Sequence, residues 1–95
     1  MMNTRTESTI LFTNCTAEEQ IFNCYRLIRT VDTFLGDDVF SVFVTTKTDD
    51  GLDEEFVYDI TRDEQVAKDF FSRLCHERVT ACTLQDITKD FLADF

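Results

Sequence analysis

The chain has no proline, only two glycines (Gly36 and Gly51) and one histidine, His76. Each shortage excludes something. With so little proline and glycine there is no flexible linker, and the 95 residues read as a single domain, 1–95. No glycine-rich phosphate loop and no H-E-x-x-H helix can be found. His76 has Cys75 as its neighbour at a predicted helix end, and adjacent residues on a helix point about 100° apart. A helix-end partner for the dipole is therefore its expected role, not a Cys–His or Ser/His/Asp nucleophile. Cys15, Cys24, Cys75 and Cys82 contain no C-x-x-C pair, so no zinc site is expected. No apolar run approaches 18 residues, which predicts no transmembrane helix. The opening MMNTRTEST has no apolar h-region, which predicts no signal peptide. The expected setting is the cytoplasm, with the cysteines reduced and acting as small buried hydrophobes.

Acid is plentiful. Nineteen Asp and Glu against nine Lys and Arg give a net charge of −10. Residues 1–36 and 70–95 each carry four acids and three bases, whereas residues 37–69 carry eleven acids and three bases. One third of the chain thus holds −8 of the excess. Such a field repels DNA, RNA and anionic membranes and attracts a basic partner. It does not signal disorder, because the apolar fraction is 43% and ten phenylalanines supply large apolar area.

Periodicity divides the chain. "TRDEQVAKDFFSRLCHER" places Val66, Ala67, Phe70, Phe71 and Leu74 on one helical face, with Thr61 and Glu64 at capping-box spacing. "TLQDITKDFLADF" gives a second stripe of Leu84, Ile87, Phe91 and Leu92, with Thr83 and Asp86 spaced like a cap; "VTAC" is a short connection. Before residue 61 the period is two. Phe40, Val42 and Val44 share one side of a strand, as do Phe56, Tyr58 and Ile60 of another, and "DDGLDE" is their hairpin connection. "STILFTN" predicts a further strand. Residues 16–35 fit an amphipathic helix capped by Thr16 and Glu19 and ended by Gly36. Their β-branched and aromatic composition favours instead a strand over about 22–32 and a turn at "GDD", 36–38. Composition leans to the strand reading, and the family resemblance described below tips the choice to it. The fold class is then α+β: an antiparallel sheet of three to four strands followed by two C-terminal helices packed on one face. The expected core is Phe40, Val42, Val44, Phe56, Tyr58, Ile60, Val66, Phe70, Phe71, Leu74, Ile87 and Phe91.

"YRLIRTVDTFLGDDVFSVFVT", "DITRDEQVAKDFFSRL" and "LQDITKDFL" together resemble a family of short, uncharacterised Firmicutes proteins. The resemblance covers about residues 22–93 and rests on Asp59-Ile60-Thr61, the helix after it, and Leu84 to Leu92. It implies a hairpin-rich sheet followed by two helices, and no activity. The N-terminal strand and the acidic, phenylalanine-rich middle depart from that pattern.

No constellation of residues predicts an enzyme, and no cofactor or metal is implied. The acidic turn lacks EF-hand spacing and its closing glutamate. The expected function is a non-enzymatic protein-binding module. Its expected contact surface is Asp37, Asp38, Asp49, Asp50, Asp53, Glu54, Glu55 and Asp59, with Asp63 and Glu64 adjacent. Alternate strand side chains lie roughly 6–7 Å apart, similar to the phosphate repeat, so the hairpin could mimic nucleic acid and occupy the basic groove of a nuclease. In size and charge the chain resembles small acidic phage proteins that block host defence nucleases, the anti-CRISPR type. The alternative is a cytoplasmic adaptor whose acidity only confers solubility.

Overall fold

The computed structural model describes residues 6–32, 36 and 38–93. Four strands, β1 (Thr6–Glu18), β2 (Ile21–Asp32), β3 (Asp38–Thr48) and β4 (Gly51–Thr61), precede helix α1 (Glu64–Glu77), a 3-10 turn (Ala81–Thr83) and helix α2 (Leu84–Ala93). The sheet is fully antiparallel in the order β1-β2-β3-β4. Chain neighbours are sheet neighbours throughout, so tight connections suffice and both β1 and β4 are edges.

Residues 16–32 are the end of β1, a turn at 19–20 and β2; the helix alternative is overturned. Tyr25 and Leu27 reach the core from alternate positions, and their register partners Val44 and Val42 do the same. Of the expected "GDD" turn, Gly36 precedes β3 and Asp38 is already its first residue, while residue 37 lies outside the described residues. The N-terminal strand is longer than expected and ends in a two-residue turn at Glu19–Gln20.

Both helices cover one sheet face, because each has a single apolar stripe to bury. Tyr25, Leu27, Phe40, Val42 and Val44 from the sheet meet Ala67, Phe70, Phe71 and Leu74 of α1 and Leu84 and Phe91 of α2. Phe70 and Phe91 tie the two helices, with ring centroids 4.7 Å apart. Val66 and Ile87 pack only partly buried against this cluster. A buried polar triad joins the 3-10 turn to the sheet. Thr46 Oγ1 donates to Asn23 Oδ1 at 2.7 Å and accepts from the Ala81 backbone N–H at 2.8 Å.

Four local expectations need correction. The α1 cap is Asp63, not Thr61: its Oδ1 accepts from the N–H groups of Gln65 and Val66, while Thr61 ends β4 and accepts from Asp63 N–H. The 3-10 turn runs directly into α2, and Thr83 bonds back to Thr80, so it does not cap α2 with Asp86. Phe56 and Tyr58 are not core; they are 45% and 58% exposed, on the face the helices leave open. The cysteines are neither all reduced nor four small buried hydrophobes. Cys15 and Cys24 are direct register partners, Cα atoms 4.1 Å apart, and form a disulfide; Cys82 is exposed and Cys75 half-buried. A first strand ending at Asn14 gives Cys15 no cross-strand neighbour, whereas β1 running to Glu18 sets it opposite Cys24.

Candidate interaction surface

The β3–β4 hairpin turns through Asp49 and Asp50. Thr48 faces Gly51, and Thr48 Oγ1 accepts from Asp50 N–H at 3.2 Å. Gly51 has φ +140°, which L side chains rarely adopt, so this is where the hairpin needs its glycine. The turn is thus two residues, and Leu52 to Glu55 are strand instead of loop. A fixed register follows, in which partner numbers across the hairpin add to a constant until a bulge between Phe40 and Val42. At that bulge Asp59 takes φ +55°, its N–H donates to Ser41 Oγ at 3.0 Å, and Ile60 turns into the core. This explains why Ile60 is buried while Phe56 and Tyr58 are not.

Period two now sorts the acids. Asp53 pairs with Thr46 and Glu55 with Val44, on the helix side; Glu54 pairs with Thr45, on the open side. Glu55 accepts from Gln85 Nε2 of α2 at 3.1 Å. Asp49, Asp50, Asp53 and Glu54 are exposed, and no ion pair among the described residues uses them. Three other predicted contact residues have internal partners. Asp38 pairs with Arg29 at 2.7 Å, Asp63 caps α1, and Glu64 pairs with Lys68 at 3.2 Å. Asp59 is exposed at the bulge. Asp37 lies outside the described residues. The ten residues therefore do not form one row. What the fold brings together is an acidic tip, Asp49 and Asp50, continued along the outer edge of β4 by carboxylates on both faces.

The open face carries a feature that the predicted core had hidden. Arg26, Phe43 and Phe56 lie in one cross-strand row, with the Arg26 guanidinium carbon 5.6 Å from the Phe43 ring centroid and Phe43 6.3 Å from Phe56. Tyr58 stands beside this row, two residues along β4 and 6.3 Å from Phe56. A legible signal for this existed. Fixing the two-residue turn at Asp49–Asp50 pairs Phe43 with Phe56, and since Val42 and Val44 are inward, both rings must point out.

Two buried or half-buried groups have shifted acidities. Burial pushes Tyr25 up to about 12; Cys75 nearby adds to this, while Thr16 and Arg78 pull it back. Its hydroxyl is buried without a hydrogen-bond partner of adequate geometry among the described residues, so Thr16 approaches without satisfying it. Burial likewise raises Cys75, against a hydrogen bond from Asn14. Two surface depressions lie away from the acidic hairpin. One, of about 220 Å³, is bordered by Asn23, Thr80 and the Glu18–Arg78 ion pair; the other, of about 300 Å³, by Phe12, Lys68, Phe71 and Ser72. Among the described residues no group of three or more His, Cys, Asp or Glu side chains is arranged to hold a metal ion. No helix of those residues is long and apolar enough to cross a membrane. Comparison with family models, curated proteins and solved structures finds no match.

Proposed function

We propose that this chain is a non-enzymatic protein-binding module that inserts its acidic β3–β4 edge into a basic surface, such as the nucleic-acid groove of a nuclease. The observation that carries this reading is the concentration of exposed carboxylates without ion-pair partners, Asp49, Asp50, Asp53 and Glu54, on the tip and free edge of one hairpin. Like charges crowded there repel one another in the isolated protein, and a basic partner would relieve that repulsion. An edge strand also offers unpaired main-chain groups beside the acids, so the contact can combine charge with hydrogen bonds. Mimicry on this reading is one of charge density at a tip and edge. A row spaced like phosphates reduces to the Asp53 and Glu55 pair, and Glu55 is shared with Gln85. The proposed setting is the cytoplasm, where nucleic-acid enzymes work.

The test is a capture experiment on cytoplasmic nucleic-acid enzymes with the parent and the Asp49→Asn, Asp50→Asn, Asp53→Asn, Glu54→Gln variant. The parent should retain a basic enzyme at low salt and lose it steeply as salt rises. The neutralised variant should retain none. A variant that binds and inhibits like the parent would show that the acids serve solvation alone.

A further inference from the structure

Seen from the side opposite the helices, the sheet is a surface with a composition unlike the rest of the chain. Of the eight large hydrophobic residues that are strongly exposed among the described residues, five lie here: Ile10, Phe22, Leu52, Phe56 and Tyr58. The register sets four rows across it, from Ile10–Ile28–Ser41 to Ala17–Phe22–Lys47–Leu52. Within those rows the ionised side chains are Arg26, Lys47 and Glu54, and Asp59 stands exposed at the bulge beside Ser41, giving two bases and two acids. A chain of net charge −10 thus has one broad face with no acidic excess.

We infer that the open sheet face centred on Phe43, Phe56 and Tyr58 is the interface of a homodimer, in which a second copy of this chain packs its own open face against it. Three features favour a second copy over other occupants. A strongly basic partner gains nothing from a face without acidic excess. A nucleic acid would meet stacking rings, but only after approaching a chain whose overall field repels it. A second copy brings the same apolar rows and the same mixed charges. A two-fold axis along β3 sets β2 of one copy over β4 of the other, so each Arg26 approaches the opposite Phe56 and Glu54. Face-to-face packing of sheets at about 10 Å is an established way to bury such rows.

Area sets the strength. Four strands about 4.8 Å apart, over roughly seven residues at about 3.3 Å each, span on the order of 450 Å² a side. Two copies then bury roughly 900 Å², slightly under the usual lower bound for a specific interface, so the dimer should be weak and concentration-dependent. The acidic tips, Asp49 and Asp50, and the helix-side carboxylates of β4 stay outside the contact, and the charge excess of both copies opposes association. Salt should therefore strengthen this dimer, whereas it weakens the hairpin's contact with a basic partner. The two readings respond to salt with opposite sign, and neither depends on the other.

The experiment is sedimentation equilibrium of the full chain across a concentration series, at about 20 mM and about 300 mM salt, with Phe56→Glu and Tyr58→Glu as face variants. Asp53→Asn, on the helix side of the same strand, is the control, and circular dichroism and melting check that each variant folds. The expected result is a shift from monomer to dimer mass at high concentration. Its midpoint should fall at higher salt, stay put or fall in Asp53→Asn, and rise at least tenfold in folded Phe56→Glu or Tyr58→Glu. A chain monomeric at every concentration overturns the proposal. So does a dimer untouched by folded face variants, which would put the contact on an edge strand or the helices. Binding of oligouridylate that is lost in Phe56→Glu, by a protein that stays monomeric, would overturn it in favour of a base-stacking role.

Discussion

Glu54 and Glu55 are neighbours in the chain and stand on opposite faces of the sheet, Glu54 across from Thr45 and Glu55 across from Val44. Only Glu55 of the two has a partner in α2, Gln85. Neutralising Glu54 should leave stability unchanged or slightly raised, and Glu55→Gln should cost a few tenths of a kcal/mol, up to about 1 kcal/mol. Combining Glu54→Gln with the three aspartates of the tip and edge should raise the melting temperature at low salt and lose that advantage at high salt. Thermal melts at two ionic strengths check both statements.

Thr46 holds the buried junction between the sheet and the 3-10 turn. Thr46→Val keeps the shape but strands Asn23 Oδ1 and the Ala81 N–H. The expected loss is about 1–3 kcal/mol, read from urea unfolding. Asn23→Leu combined with Thr46→Val should recover part of it, because one stranded acceptor is then gone.

Tyr25 provides a pH test. Its hydroxyl is buried, and burial raises its pKa from 10.0 to about 12. The folded state therefore holds a proton that the unfolded state releases between those values. Stability from this group is complete below pH 10 and lost as pH rises toward 12, at about 1.4 kcal/mol per pH unit within that window. Tyr25→Phe should be neutral or slightly stabilising at pH 8, since the hydroxyl has no adequate partner. It should also fall less than the parent between pH 10 and 11.5 in urea titrations.

Phe70 and Phe56 separate the two faces. Phe70 is fully buried against Phe91, and Phe70→Ala should cost about 3–5 kcal/mol. Phe56→Ala, measured in dilute monomer, should cost under about 1 kcal/mol, because the ring is half exposed and meets Phe43 and Tyr58 at its edge. Equal losses at the two sites would refute the assigned register.

The cysteines should titrate in two classes. Oxidised protein should show two thiols, Cys75 and Cys82, and four after reduction. Cys82 should be alkylated first, since it is exposed and burial keeps the Cys75 thiol protonated. Peptide mapping after timed alkylation checks the order.

Much of the architecture was legible in residue types alone. Helical stripes at 66–74 and 84–92, β-branched composition before residue 61, and the clustering of acid in 37–69 determined an α+β chain with two C-terminal helices and an acidic hairpin. These are local signals: period, propensity and charge along the chain. What required tertiary structure was side and partner. Whether Phe56 is core or surface depends on a turn two residues long and a bulge at Asp59, and a slip of one residue exchanges the faces. Asp38, Asp63 and Glu64 look the same in sequence as Asp49 and Asp50, yet the fold gives the first three internal work and leaves the tip to solvent. Cys15 and Cys24 became a pair only when β1 ran far enough to set them in register. Sequence spacing fixes neighbours along one element, whereas contacts between elements depend on register, twist and the face that the helices choose to cover.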